Sequence, residues 1–166
     1  QFSQNVKNIL QELAEDTESD RALVFEYSNG TRNLVGLPFL YTSAVAEVNV
    51  PELSPVSHRF QKINLSILSG FIHKLEEEGS IYIEDIESIK QTYPILYELL
   101  KPSFAKSALF YALQGVDEVI GFIVIIKVDK AIIKKSSLTE VAKSAQLISS
   151  MSNFEEYQKE LDLNNK

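Results

Sequence analysis

The segments GSIYIEDI at residues 79–86 and SALFYALQGVDEVIGFIVIIK at residues 107–127 decide the fold of this chain. In the second segment, two apolar runs flank a polar turn at residues 114–118. Runs that are apolar on both faces are typical of strands inside a sheet, so they predict a central β-hairpin. The first segment predicts a short strand, Ser80 to Ile83, that ends in acidic residues.

The N-terminal third predicts one helix and two strands. Apolar residues at helical spacing indicate an amphipathic helix over residues 2–15. Residues 21–27 predict a strand with Leu23, Phe25 and Tyr27 on one face and Ala22, Val24 and Glu26 on the other, and Ser28-Asn29-Gly30 ends it. A second strand is expected within residues 37–50.

The remaining segments predict three helices. A long middle helix is expected from Ser54 or Pro55 to Glu78, with Gly79 as its end signal. A short helix is expected around residues 94–100, and Ser137-Leu138-Thr139-Glu140 has the spacing of a capping box that opens the last helix.

These elements predict an α+β fold. It has a central antiparallel sheet of about five to six strands, flanked by N-terminal, long middle and C-terminal helices. Residues 1–151 are expected to form a single domain. Residues 152–166 form a charged tail that either extends the last helix or is disordered.

Composition excludes several classes of function. The chain has 166 residues, a net charge of −7 and no cysteine. The negative charge argues against nucleic acid as the main partner and against an anionic membrane surface. The absence of cysteine excludes disulfides and thiol chemistry. The apolar run at residues 119–126 is too short to cross a bilayer, so a membrane contact would need a segment before Gln1. Composition does not indicate the cellular compartment.

Catalytic and metal-binding signals are weak. His58 and His73 lie about 22 Å apart on the predicted middle helix and cannot share a metal ion. Asp85 is expected to cap a turn, and Glu84 and Glu87 are expected to face solvent. No nucleophile elbow, zinc motif or phosphate-binding glycine loop is present. We therefore predict no enzyme activity, no catalytic residues, no metal site and no cofactor.

A small-molecule site is the remaining chemical prediction. Tyrosines are numerous, and an apolar wall with a few hydrogen-bonding groups is typical of a ligand pocket. The predicted ligand-binding residues are Arg32, Asn33, Tyr41, Ser43, Tyr82 and Asp85.

The order of elements resembles a GAF domain, the small-molecule sensor fold related to PAS, over about residues 4–151. The best local matches are residues 79–86 and the hairpin segments 106–113 and 118–122. The resemblance implies a sensor, but bilin-attaching and methionine-sulfoxide-reducing members both use cysteine, which is missing here. The Asn-Lys-x-Asp-Glu signature of cyclic-nucleotide-binding members is also missing.

A second resemblance concerns tailed-phage proteins. Residues 25–39 look like uncharacterised small proteins of tailed phages, and the general layout is similar to the extramembrane domain of T-even phage holins. That resemblance implies a single transmembrane helix before the domain.

Two hypotheses follow. The first is a non-catalytic GAF-like regulatory module that binds a small ligand or a protein partner. The alternative is the soluble domain of a membrane-anchored, holin-like phage protein that acts through protein contacts in lysis control. For the first, the apolar faces of the terminal helices predict a homodimer.

Overall fold

A six-stranded antiparallel sheet forms the centre of the computed structural model, which describes residues 2–32, 38–130 and 132–164. The side chains of Phe2, residues 29–39 and residues 153–160 fall outside the description. The strands are β1 (Arg21–Arg32), β2 (Pro38–Asn49), β3 (Ile63–Asn64), β4 (Ser80–Ile83), β5 (Ser107–Gln114) and β6 (Val119–Lys127). Their order is β3-β2-β1-β6-β5-β4, so the hairpin and the α+β class are confirmed.

Four helices cover the two faces of the sheet. They are α1 (Phe2–Thr17), α2 (Ser69–Glu78), α3 (Pro94–Leu100) and α4 (Ser136–Asn164). The α1 and α4 helices pack on one face, and α2 and α3 pack on the other. Alternation along β1 supplies both layers, because Ala22 and Val24 face α1 and α4 while Leu23 and Phe25 face α2 and α3.

The middle helix is shorter than the sequence pattern predicts. It begins at Ser69 instead of residue 54 or 55, and it ends at Gly79 as expected, in the left-handed conformation with φ 83°. The preceding segment forms a 3₁₀ turn, the short strand β3 and a second 3₁₀ turn. Lys62 lies in the left-handed region with φ 52°, which interrupts any helix there, and the Asn64 side chain caps the second turn.

A buried arginine joins three parts of the chain. Arg21 is 1% exposed. Its Nη1 donates to the Ser54 carbonyl at 2.7 Å and to Asn49 Oδ1 at 2.9 Å, and its Nε donates to the Ser103 carbonyl at 3.1 Å. This cation therefore holds residues 54 and 103 against the start of β1.

The counter-ion of Arg21 is Glu47, whose side chain is 6% exposed. The Glu47 carboxylate lies 3.5 Å from Arg21 Nη1 and accepts hydrogen bonds from the backbone amides of Val56 at 2.8 Å and Ser57 at 2.9 Å. A helix running on through residues 62–64 would bond the Lys62 amide to its own turn, whereas this amide donates to Ser43 Oγ of β2 at 2.8 Å, and β3 pairs with β2. The Glu47 contacts hold residues 56 and 57 against β2, and the pairing of β3 with β2 explains why the predicted middle helix is interrupted.

The apolar faces of the terminal helices are used within the domain. Val6, Leu10 and Leu13 of α1 and Val141 and Ile148 of α4 are each at most 2% exposed because they pack on the sheet. These are the residues on which the dimer prediction depended. Homodimerisation through the terminal helices stays a prediction, and the inward packing removes its original basis.

Candidate functional site

The interior between the sheet and residues 54–100 is filled by aromatic rings. Phe122 stacks on Phe25 with ring centroids 4.7 Å apart and packs against Phe110 at 5.7 Å. Phe60 meets Phe25 edge to face at 5.6 Å, and Phe71 meets Phe110 in the same way at 4.8 Å. Aromatic pairs at these distances make favourable contacts and exclude solvent.

The remaining space in this interior is a cavity of about 30 Å³. Its lining is apolar except for Thr42. A single water molecule occupies about 30 Å³ in the liquid, so the cavity is far too small for an organic ligand. The described residues thus leave no enclosed ligand site between the sheet and α2 or α3.

One polar atom at the margin of this interior lacks a partner. The Tyr27 hydroxyl is buried and makes no hydrogen bond to the described part of the chain, and its ring packs edge to face on Phe122 at 6.4 Å. Burial raises the pKa of the Tyr27 phenol well above its usual range, and the charge of Glu76 raises it further. Tyr27 therefore stays neutral at physiological pH.

A much larger space lies outside the interior, along strand β4. This open groove, here called the β4 trough, has a volume of about 830 Å³. Its lining comes from Phe71 and Lys74 of α2, from residues 81–89, from residues 105–107, and from residues 129, 130 and 132. The two sequence-predicted site residues Tyr82 and Asp85 both belong to it.

Tyr82 presents its ring to the trough, and its side chain is 42% exposed. Burial of the rest of the residue raises the pKa of its phenol, a hydrogen bond with the Ile133 backbone lowers it, and the Glu84 charge raises it. Asp85 has a structural role as predicted, because its Oδ1 accepts a hydrogen bond from the Glu87 amide at 3.0 Å and caps the following turn. The Asp85 carboxylate nevertheless remains exposed at the trough.

The other predicted site residues lie elsewhere. Tyr41 and Ser43 are on β2, which is four strands away from β4 in the sheet order, or about 19 Å along the sheet. Ser43 Oγ accepts a hydrogen bond from the Lys62 amide at 2.8 Å. The Arg32 backbone ends β1 with its side chain outside the description, and Asn33 lies outside the described residues. Among the predicted site residues whose side chains are described, the structure therefore brings together Tyr82 and Asp85.

Sequence inspection missed Ser107, which lines the trough. This residue is 2% exposed, and its hydroxyl is buried without a hydrogen-bond partner. A buried hydroxyl without a partner costs about 1–3 kcal/mol relative to a bonded one. The only sequence signal was a serine between Lys106 and an apolar run, which is too common to identify a site.

Lys127, at the end of β6, and Lys134, after it, both contact Glu18. Lys127 donates to the Glu18 carbonyl at 2.7 Å, and Lys134 forms a 2.9 Å ion pair with the Glu18 carboxylate. His73 pairs with Glu77 on the exposed side of α2. Within the described residues, no group of three or more histidines or acids is placed to hold a metal ion.

The fold is that of GAF domains in solved structures. GAF3 from Slr1393 of Synechocystis sp. PCC6803 aligns with a TM-score of 0.74 and 11% identity, covering 97% of this chain and 99% of that one. The PixJ GAF domain of Thermosynechococcus elongatus aligns with a TM-score of 0.71 and 14% identity, covering 97% and 92%. The phycoerythrobilin-bound GAF domain of a cyanobacterial phytochrome aligns with a TM-score of 0.71 and 12% identity, covering 96% and 89%.

These identities are low enough that the likeness establishes the GAF-like fold alone. No protein-family model and no curated protein sequence matches the chain. The resemblance to tailed-phage proteins and holins is not supported by these structures and stays a prediction.

Proposed function

We propose that this GAF-like domain is a non-catalytic regulatory module that binds a protein partner at its surface and does not enclose a small molecule. The observation that carries the proposal is the filled interior. Its cavity of about 30 Å³ compares with about 300–1,000 Å³ for ordinary small-molecule pockets. A fold that retains the sensor framework without the room for a ligand is suited to act through its outer surface.

Bilin binding in particular does not fit this chain. One of the similar structures is a phycoerythrobilin-bound GAF domain. In this chain, Phe25, Phe60, Phe110 and Phe122 occupy the interior, and no cysteine is available for a covalent attachment. Opening that space would require the loss of several aromatic contacts, at about 0.5–1.5 kcal/mol each beyond the area buried.

A small ligand in the β4 trough is the second candidate. The observation in its favour is the volume of about 830 Å³ beside Tyr82 and Asp85. Small-molecule sites usually bury 70–90% or more of a drug-sized ligand. The exposed Tyr82 and Ile132 at the trough indicate a shallower surface, which a polypeptide covers more fully.

The holin-like hypothesis also depends on surface contacts, so the filled interior is compatible with it. It differs in what precedes Gln1, where an apolar span of about 20 residues in the full-length protein would favour membrane anchoring. Among the described parts of the chain, no helix has the length and apolar character needed to span a membrane.

Native mass spectrometry of the protein isolated from the cells that produce it tests the proposal. We expect the mass of the polypeptide with no small molecule, together with cross-linking to a protein at a fixed stoichiometry. A stoichiometric small molecule that is present in the native spectrum and lost on denaturation would contradict the proposal.

Two controls complete the experiment. The Phe110→Ala variant with added benzene is the positive control for interior binding, because an apolar cavity of ring size binds benzene. Its melting temperature should rise with benzene, whereas that of the wild type should not. Sedimentation then distinguishes a second copy of the chain from a different partner.

A further inference from the structure

Among the described strands, β4 lies at the edge of the sheet and pairs with β5 alone. The register places Ser80 opposite Tyr111 and Tyr82 opposite Leu109, and just before the strand the Ala112 amide donates to the Gly79 carbonyl. In an antiparallel pair, hydrogen-bonded and non-hydrogen-bonded residue pairs alternate.

This alternation determines the direction of each backbone group in β4. Ile81 and Ile83 are two and four residues after Gly79, so their N–H and C=O groups point to β5. The N–H and C=O groups of Ser80 and Tyr82 therefore point away from the sheet. A row of outward groups at the spacing of a strand is the template that another extended backbone pairs with.

The β4 trough provides space for such a backbone along this edge. Phe71 and Lys74 of α2 line it, and so do Lys130 and Ile132 of the segment after β6, whose neighbour Ile133 packs in the layer of α1 and α4. Strand β4 is therefore exposed between two walls, an arrangement in which an added strand contacts side chains above and below the sheet.

Exposed apolar side chains mark the same region. Tyr82 is 42% exposed and Ile132 is 62% exposed, and both line the trough. Phe104 is 66% exposed and directly precedes Ala105 of the lining. Its backbone is in the left-handed region with φ 60°, which costs a bulky residue about 1–3 kcal/mol, and the bond from Arg21 to the Ser103 carbonyl holds the neighbouring residue in place.

The charges around β4 indicate the chemistry of the occupant. The trough lining carries four acids, at 84, 85, 87 and 129, and three lysines, at 74, 106 and 130, and three further acids at 76–78 end α2 just before the strand. The surroundings are therefore net negative and complement a basic segment.

We propose that the β4 trough binds an extended segment of a partner protein that is rich in lysine or arginine and pairs with β4 as a seventh strand. The outward groups of Ser80 and Tyr82 form the ladder, Tyr82 and Ile132 contact the apolar side chains of the segment, and the flanking acids attract its basic ones. This inference rests on the protein-binding function proposed above and adds the site and the chemistry of the partner.

Backbone-resolved NMR with a probe peptide tests the inference. The probe is a blocked peptide of about six residues, the usual strand length, with alternating lysine and valine. We expect shifts and slower hydrogen exchange at Ser80, Tyr82 and Glu84. A peptide with proline at alternate positions and a peptide with glutamate in place of lysine should each bind at least about tenfold more weakly, since proline lacks the donor and glutamate reverses the charge.

Two variants of Tyr82 separate backbone pairing from side-chain contact. Tyr82→Pro removes an outward N–H and leaves the bonds of Ile81 and Ile83 to β5 in place, so those two amides report that the fold is kept. Tyr82→Val retains the N–H. We expect Tyr82→Pro to weaken peptide binding at least about tenfold and Tyr82→Val to weaken it less.

Shifts that map outside the trough, equal binding of the proline peptide, or unchanged binding to Tyr82→Pro would overturn the inference. A concentration-dependent dimer of the free protein that dissociates in Tyr82→Pro would also overturn it, in favour of a second copy as the occupant. If a native partner binds the wild type and Tyr82→Pro equally, the inference fails while the proposed protein-binding function stands.

Discussion

Replacing Glu47 with glutamine should strongly destabilise the domain, although the side chain keeps its size. The carboxylate is 6% exposed and accepts hydrogen bonds from the Val56 and Ser57 amides while balancing the charge of Arg21, which is 1% exposed. Glutamine has one acceptor oxygen, so its side-chain NH₂ group would face one of the backbone amides that now donate to the carboxylate. Arg21 would then lose the carboxylate that it contacts, and Asp20 would remain as an acid whose charge acts on it.

The expected cost follows from that broken ion pair. Breaking a buried ion pair by removing one partner costs about 3–5 kcal/mol. In a domain of this size, each kcal/mol lowers the melting temperature by about 2–4 °C, so Glu47→Gln should melt about 6–20 °C below the wild type. Urea unfolding at neutral pH, followed by circular dichroism, measures the free energy directly. Glu52→Gln, an exposed acid nearby, is the matched control and should stay within about 0.5 kcal/mol.

The same carboxylate predicts part of the acid sensitivity. Burial raises the pKa of Glu47, but the hydrogen bonds from Val56, Ser57 and Asn49 outweigh this, so its pKa in the folded state is lowered. The stabilisation is therefore complete above the unfolded-state pKa of about 4.3 and is lost as the pH falls through the folded-state pKa. The Glu47→Gln variant should not show this part of the loss of stability at low pH. A variant within about 1 kcal/mol of the wild type at neutral pH, or with an identical acid profile, would refute the reasoning.

Three further changes have defined outcomes. Gly121→Ala should cost about 1–3 kcal/mol in urea unfolding, because a Cβ there would overlap the Phe25 carbonyl across the β1–β6 pair; a neutral result would contradict this close approach. Tyr27→Phe should leave stability unchanged or raise it by up to about 1 kcal/mol, since it removes an unpartnered hydroxyl. Because the pKa of Tyr27 is raised in the folded state, the wild type should lose stability above about pH 10 and the Phe variant should lose less; equal losses between pH 8 and 11 in thermal melts would argue against it. Asp85→Ala should cost about 1 kcal/mol through the lost cap to Glu87, and Asp85→Asn should recover most of it; equal melting of both variants would count against the capping role.

Local patterns predicted the framework well. The hairpin of β5 and β6 was readable because its two runs are apolar on both faces and are separated by a polar turn. The opposite faces of β1 followed from alternation, and the end of α2 followed from Gly79. Each of these features depends on neighbours within a few residues, which sequence inspection sees directly.

The start of α2 was mispredicted for a non-local reason. The apolar spacing from Ile63 to Leu75 suits a helix, but β3 pairs with β2, and the Lys62 amide bonds to Ser43 Oγ instead of to a helical carbonyl. Such a bond depends on residues that are close only in the folded chain.

The candidate site also contains residues that local sequence predicted and residues that depend on the folded chain. Tyr82 and Asp85 were predicted together and lie together, because they are neighbours at the end of β4. Tyr41 and Ser43 were grouped with them on residue type alone, and the strand order separates them by four strands. Ser107 was missed because its unpartnered hydroxyl is a property of its burial in the folded chain.

The sequence by itself determined the strand and helix framework, the absence of thiol chemistry and the acidic residues around β4, since these depend on composition and on local order. Only the tertiary structure decided that rings from β1, β5, β6, α2 and residue 60 meet and fill the interior. It also decided that β4 is the last of the described strands in the sheet, with its outer edge beside an open trough. Both outcomes depend on which strands become neighbours and how closely the helices pack on them, and those distances are set by contacts between residues far apart in the chain.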